Sequence, residues 1–454
     1  MYLWREICLL PLTTNGMKKW IYIIAALLIS CSEETIYSDY EASPIKSVEV
    51  SPMFFPVACS DGSIITITSE LDTLNYNFVK IDSNAKTTQT QFSLTWNVSM
   101  RNTDQNNEGR NNEKRNNEKI SKQSPPEMQT KIDVSGGTIR KNAFDEFYFE
   151  FYSSNNFGRS YYAIVKFDKD GQKLFQLDSI VSMNGGGMGG GNNNFSTKIP
   201  VNGTPLDNGG YAMIFQVPNQ GMMQQNTSYD LTLRYINKEG KTEHETNLEF
   251  NETISIEKIC SINNNIFIYY TNADEYYFLK IFSLDGHEIN SSAIDYSPYI
   301  FAPDSKYAYI SAVDKTGTCA VVADENGGEY IRVPTTDVFF SNAMKIDNEI
   351  YFAGIEISGA SSITTMSALL KMVNTMTGVL SVVSLDGTIQ KYVRLDYDDG
   401  IACYACFKDG KGGYNVFLSR ISSESAVNIN IHNSGLGNRI YVYNVSSLEK
   451  LQIN

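Results

Sequence analysis

Cations, histidine, tryptophan and long apolar runs are all scarce in this chain, and each scarcity closes off a class of function. Lys and Arg number 37 against 51 Asp and Glu, a formal net charge of −14 over 454 residues. Nucleic-acid binding needs clustered cations that displace counterions from phosphates, so no nucleic-acid partner is expected. Electrostatic docking on anionic lipid is disfavoured on the same ground. Only three histidines occur, His244, His287 and His432. With no H-E-x-x-H, no G-x-S-x-G and no phosphate-binding glycine loop, neither a catalytic residue nor a metal or cofactor is expected. Of the three tryptophans, only Trp96 lies beyond position 31, so sugar stacking would fall to tyrosine. Tyr269, Tyr270, Tyr276 and Tyr277 are densely grouped, but in alternating strands such residues more commonly pack within the sheet.

Acidic residues are plentiful, and a glycosidase pair can be drawn from any part of a chain. The local clusters are Asp168 with Asp170, and Asp396, Asp398 and Asp399 in DYDDG. Both sit at turns, where Asp bonds the nearby backbone. A calcium loop with Gly400 at its sixth position would place Tyr397 at the third, where an oxygen ligand is required.

The first long apolar run, Trp20 to Ile29, is ten residues. It is too short to cross a bilayer, yet suits the hydrophobic region of a secretory signal. Lys18-Lys19 precedes it and Ser30-Cys31 follows. Leu28-Ile29-Ser30-Cys31 resembles the bacterial lipobox. The resemblance implies a signal peptide over 17–30, an upstream mis-start over 1–16, and Cys31 as the lipidated mature N-terminus. Ser32-Glu33-Glu34 resembles the export signal of Bacteroidetes-type surface lipoproteins, which implies an outward-facing outer-membrane protein held to the membrane through its N-terminal lipid. Residues 31–47 read as a flexible tether. Asp72-Thr73-Leu74 and Asp178-Ser179-Ile180 resemble the O-glycosylation pattern of the same exported proteins, making Thr73 and Ser179 candidate acceptors. Five cysteines remain, Cys59, Cys260, Cys319, Cys403 and Cys406, enough for at most two disulfides. Cys403 and Cys406 lie in a strand-like run, where strict alternation would put them on opposite faces.

What the chain has in abundance is a phrase: alternating strand, Asp-Gly or a similar turn, second strand. It occurs at 161–177, 229–250, 276–289, 319–333 and 379–395, with a weaker copy at 76–94. These turn residues supply the positive φ expected of two-residue hairpins. Further strands precede each hairpin, at 144–153, 209–217, 264–272, 306–314 and 349–358. A unit of three or four strands therefore repeats about seven times, with some spacings near the 40–50 residues of a propeller blade. The expected fold is all-β, a seven-bladed β-propeller over 48–454, with tandem β-sandwich domains as the alternative. The last strands would share a blade with strands near Ile45–Phe55 and close the ring. The repeat also resembles β-propeller lipoproteins of the same bacterial group. Residues 101–130, containing NNEGRNNEKRNNEK, read as a disordered insert, and 182–195 as a Gly/Asn loop. A binding or scaffold module for a glycan, a peptide or a neighbouring membrane protein is expected. A carboxylate-based glycan hydrolase or lyase is one alternative, and a structural accessory of an outer-membrane transporter is the other.

Radiolabelled palmitate fed to the native host should label the protein, and Cys31→Ser should abolish the label. Retention of label in the variant would remove the lipobox reading.

Overall fold

Alternating side chains and turn residues build the fold strand by strand. The computed structural model describes residues 46–69, 75–98, 128–131, 134, 136–154, 159–182, 199–218, 229–304, 306–335, 337–357, 376–395, 401–420, 439–448 and 451. They form seven four-stranded antiparallel sheets, the blades of a β-propeller, and one two-stranded ribbon. Each hairpin anticipated from the sequence supplies the outer two strands of a blade. In blade 2, for example, Arg159–Phe167 pairs with Lys173–Ser182, and Phe147–Ser154 lies inside them. Blade 7 is assembled from both ends of the propeller. Lys46–Glu49 pairs with Arg439–Val445, with Lys46 opposite Val442, and so completes the sheet begun by Ile401–Lys408 and Tyr414–Arg420. Residues 128–130, expected within the disordered insert, are instead strand, pairing in the ribbon with Thr95–Val98.

The turns correct one detail of the sequence reading. The Asp-Gly and similar turns between the outer strands are not the two-residue primed turns expected. In the 168–172 turn, Gly171 N donates to Asp168 O at 3.1 Å, Asp168 N donates to Gln172 O at 3.0 Å, and Gly171 has φ 80°. A register shift follows between Lys166 and Phe167. This is a type I turn closed by a left-handed residue, the three-residue hairpin with a glycine bulge. Asp168 Oδ1 accepts the backbone N–H groups of Asp170 and Gln172. Asp168 of the acidic pair is thus a turn cap.

Why glycine recurs there has a second cause, visible only in three dimensions. A Cβ on Gly171 would lie 2.3 Å from Cδ1 of Phe78, in the preceding blade. Gly240, Gly286 and Gly327 crowd Phe175, Thr246 and Leu279 of their preceding blades in the same way. The turn is therefore also a docking point between blades. Phe78 itself is 2% exposed and packs at 5.5 Å from the Phe147 ring and 5.1 Å from Phe167. Such inter-blade clusters form the core, each fully buried Phe contributing about 2–3 kcal/mol.

Gly62 has the same φ of 80° but nothing within 4 Å of an added Cβ. Gly62→Ala should therefore cost only the left-handed backbone strain, about 1–2 kcal/mol. Gly171→Ala should cost that plus overpacking against Phe78, about 2–4 kcal/mol in all. Paired denaturant melts measure the difference, and equal losses would remove the docking role.

Candidate functional site

The innermost strand of each blade faces the ring axis. These strands are Val57–Ala58, Gly136–Lys141, Ile199–Pro205, Ile254–Ile262, Tyr296–Pro303, Val338–Ile346 and Ile401–Lys408. Together with their flanking residues they enclose an axial cavity of about 730 Å³, within the usual range for small-molecule sites. Five of the seven carry a one-residue bulge, at Val201, Glu257, Tyr299, Ser341 and Tyr404. A bulge re-aims the side chains that follow it. At Tyr404 this overturns the parity argument for the C-x-x-C: Cys403 and Cys406 fall in one core cluster, while Tyr404 and Ala405 enter the neighbouring one. All five described cysteines are free and buried. Burial pushes the Cys59, Cys260 and Cys319 thiols up to about 12, so they pack rather than react.

Two polar side chains, the buried Asn342 and the half-buried Arg140, tie the inner strands together. Asn342 Nδ2 donates to Pro56 O at 2.7 Å and to Tyr404 O at 2.8 Å, and Asn342 Oδ1 accepts from Ala58 N at 3.3 Å. One amide thus joins blades 6, 7 and 1. Arg140 does the same for blades 2, 3 and 4. Its Nη1 donates to Gly203 O at 2.7 Å and Ile259 O at 3.1 Å, and its Nη2 to Asn202 Oδ1 at 3.2 Å. Its Nε lies 3.1 Å from Glu150 Oε1. Tyr211 donates to the same oxygen of Glu150. Tyr162 donates to Oε2 at 3.4 Å. Burial pulls the Glu150 carboxyl above the usual carboxylate range, and Arg140 together with the tyrosine hydroxyls only partly offsets it.

The charged groups lining the cavity are mostly basic: Arg140, Lys141, Lys258, Lys345 and Lys408, against Asp61 and Asp304. Lys141 pairs with Asp145 at 2.6 Å and Lys408 with Glu349 at 3.8 Å. Lys258 and Lys345 make no ion pair or hydrogen bond among the described residues. Burial, and then the Arg140 charge, pull the Lys258 ammonium below the usual lysine range. Both lining carboxylates are engaged. Burial alone would raise Asp61, but hydrogen bonds from Lys80 and Ser63 hold it below its ordinary value. Asp304 Oδ1 accepts Lys306 N and Tyr307 N, both at 2.7 Å, and its other oxygen accepts the Tyr309 hydroxyl. The wall also carries Phe55 and Tyr299, 37% and 48% exposed, with Tyr299 set edge-on to Phe339 at 5.9 Å.

Few residues singled out in the sequence reach this site. Cys31, Thr73, His432 and Asp396 to Asp399 lie outside the described residues. Ser179 sits on the outermost strand of blade 2, opposite Tyr162. His244 meets Leu284 O at 2.8 Å, and His287 follows the Gly286 turn. Neither lines the cavity. Among the described residues, no three His, Cys, Asp or Glu side chains converge as metal ligands. Tyr269 and Tyr270 are buried sheet residues and Tyr276 is exposed, so the tyrosine group splits instead of forming a platform. Arg140, Lys258, Tyr299 and Asn342 went unmarked in the sequence because no motif surrounds them and, for the last three, because their strands are bulged.

No protein-family profile matches the chain, and no curated protein does. Among solved structures it is similar to a prolyl endopeptidase, at 9% identity and TM-score 0.38, over 83% of this chain and 47% of that one. It is also similar to a mutant of Synechocystis apocarotenoid oxygenase, at 9% identity and TM-score 0.30, over 69% of this chain and 62% of that one. A third is an ACO/RPE65 chimera, at 8% identity and TM-score 0.29, over 68% and 62%. The chain thus spans about half the length of the first and under two thirds of the others. The likeness concerns chain path alone, and no activity is carried over from it.

Arg140→Met would leave Glu150 buried without its cation, at a cost of about 3–5 kcal/mol near neutral pH. Because burial raises this carboxyl, the folded protein holds its proton to a higher pH than the unfolded chain does. Stability should therefore fall as pH rises through that window, and further in the variant, where the opposing charge is gone. Chemical denaturation at pH 5 and pH 8 should show the larger deficit at pH 8. A deficit independent of pH would place the role of Arg140 in its carbonyl contacts instead.

Proposed function

We propose that this chain is an outer-membrane surface lipoprotein whose propeller holds a ligand in its axial cavity. The observation that carries the binding reading is the 730 Å³ cavity, to which the inner strands of all seven blades contribute. A filled axis would have favoured a scaffold or transporter accessory acting through its side walls. A free acidic pair would have favoured glycan hydrolysis, whereas Asp61 and Asp304 are each engaged by neighbouring donors. The address rests on the lipobox resemblance at Cys31. Ring closure supports it sterically: Lys46–Glu49 is the outermost strand of its blade, so the chain enters the propeller at the rim. Fourteen residues, 32–45, separate Cys31 from that strand, a reach of at most about 50 Å. Anchoring there leaves the axis open.

Thr138 and Ser341 line the cavity from opposite parts of the ring. The lipoprotein purified from its host should bind a member of a glycan or peptide array. Thr138→Trp and Ser341→Trp, which fill the cavity, should each weaken that binding by about tenfold or more, while Asn290→Trp on an exposed outer strand should not. Unchanged binding in both cavity variants would place the ligand elsewhere. Release of soluble products would move the reading to an enzyme.

A further inference from the structure

The cavity wall has a polarity opposite to that of the whole chain. The chain is acidic, yet five of the seven charged residues lining the cavity are basic, and two of these, Lys258 and Lys345, make no ion pair or hydrogen bond among the described residues, Lys345 lying 5.8 Å from the Tyr307 ring centroid. Lys258 is half-buried beside Arg140. A half-desolvated ammonium next to a guanidinium is unfavourable in the empty site, and a bound anion relieves both costs. Arg140 is not the main contact, since four of its five N–H donors are committed to Glu150, Gly203, Ile259 and Asn202. Glu257, the bulged residue beside Lys258, accepts from Thr271 Oγ1 at 3.2 Å. Lysine is therefore the lining cation with donors to spare, a compact charge able to donate to one carboxylate oxygen. Tyr299 and Phe55 add half-exposed ring surface to the same wall, suited to an apolar or sugar ring face.

Resting on the axial-cavity reading, we propose that the ligand is a small ring-bearing carboxylate, its charge met by Lys258 and Lys345 and its ring by Tyr299. An acidic sugar and an aromatic acid share this chemistry. Whichever is bound, the neutral ester of the same molecule should be rejected, because it removes the charge while adding little bulk.

The test uses two matched pairs on the full-length protein: trigalacturonate with its methyl ester, and benzoate with methyl benzoate. Titration calorimetry should show one acid binding and its ester weaker by about tenfold or more, in line with the loss of a charge-assisted hydrogen bond. Lys258→Met and Lys345→Met should each bring the acid toward the affinity of its ester, and Tyr299→Ala should weaken both members of the pair. Thermal melts and circular dichroism confirm that the variants fold. Which pair responds distinguishes the sugar from the aromatic source. Equal affinity for acid and ester, or an acid indifferent to both lysine changes, overturns the anion assignment and leaves the cavity reading standing. No binding by any of the four probes overturns the ring-carboxylate class, while the cavity-filling variants judge the cavity separately. Capture of a glutamate-rich peptide instead would overturn it too.

Discussion

A four-stranded sheet with two apolar faces has no stable place in water until both faces are covered, and seven such sheets cover one another only by closing a ring. Everything else here depends on that closure. It is made by four residues, Lys46–Glu49, added antiparallel to Arg439–Val445, so that the first and last parts of the propeller become one sheet. The pairing is long-range in sequence and short in space, a costly contact in loop entropy that only the completed core offsets. Closure also decides which edges remain. Each blade presents its innermost strand to the axis, and the unpaired backbone groups of those strands must find partners other than a further strand.

Two side chains supply part of the answer, and both do so asymmetrically. From blade 6, Asn342 gathers backbone groups of blades 7 and 1, and from blade 2, Arg140 gathers those of blades 3 and 4. Blade 5 belongs to neither group and contributes Tyr299, Asp304 and Tyr309 to the cavity instead. The axis is thus far from a sevenfold-symmetric pore. It is a hollow braced by polar side chains on two arcs, with an aromatic wall between them. A buried Arg–Glu pair is weak evidence for stability by itself. Its value here is geometric, since the same guanidinium that neutralises Glu150 holds three neighbouring inner strands in register.

How much of this could be read from residues alone divides along the radius of the propeller. The outer strands were legible because they obey simple rules: period-two alternation, a left-handed turn residue, a return strand. Asp285-Gly286 and Asp386-Gly387 announce hairpins in any context. The inner strands break those rules. Val57–Ala58 is two residues long, Ile199–Pro205 and Tyr296–Pro303 contain prolines, and five of the seven are bulged. The Cys403–Cys406 parity argument failed for this reason, one extra residue at Tyr404 exchanging the faces. The close approach of Gly171 to Phe78 was equally invisible, because it joins positions in different blades. A sequence reading therefore recovered the ring and missed its lining.

That division bears on charge as well. A net charge of −14 is a statement about the field the molecule presents from outside, and it speaks against nucleic acid and anionic lipid as surface partners. It says nothing about the sign of a cavity whose walls come from short stretches scattered over the chain. Exposed acids such as Asp285 and Glu288 set the exterior sign, while Lys258 and Lys345 line the cavity from bulged strands. Over distances beyond the Debye length, about 8 Å in physiological salt, the exterior acids are screened from the axis. The half-buried Lys258 acts at contact range, where partial desolvation strengthens it. An acidic propeller with a basic axis is therefore no contradiction: the outer surface and the cavity wall draw their charges from different parts of the chain.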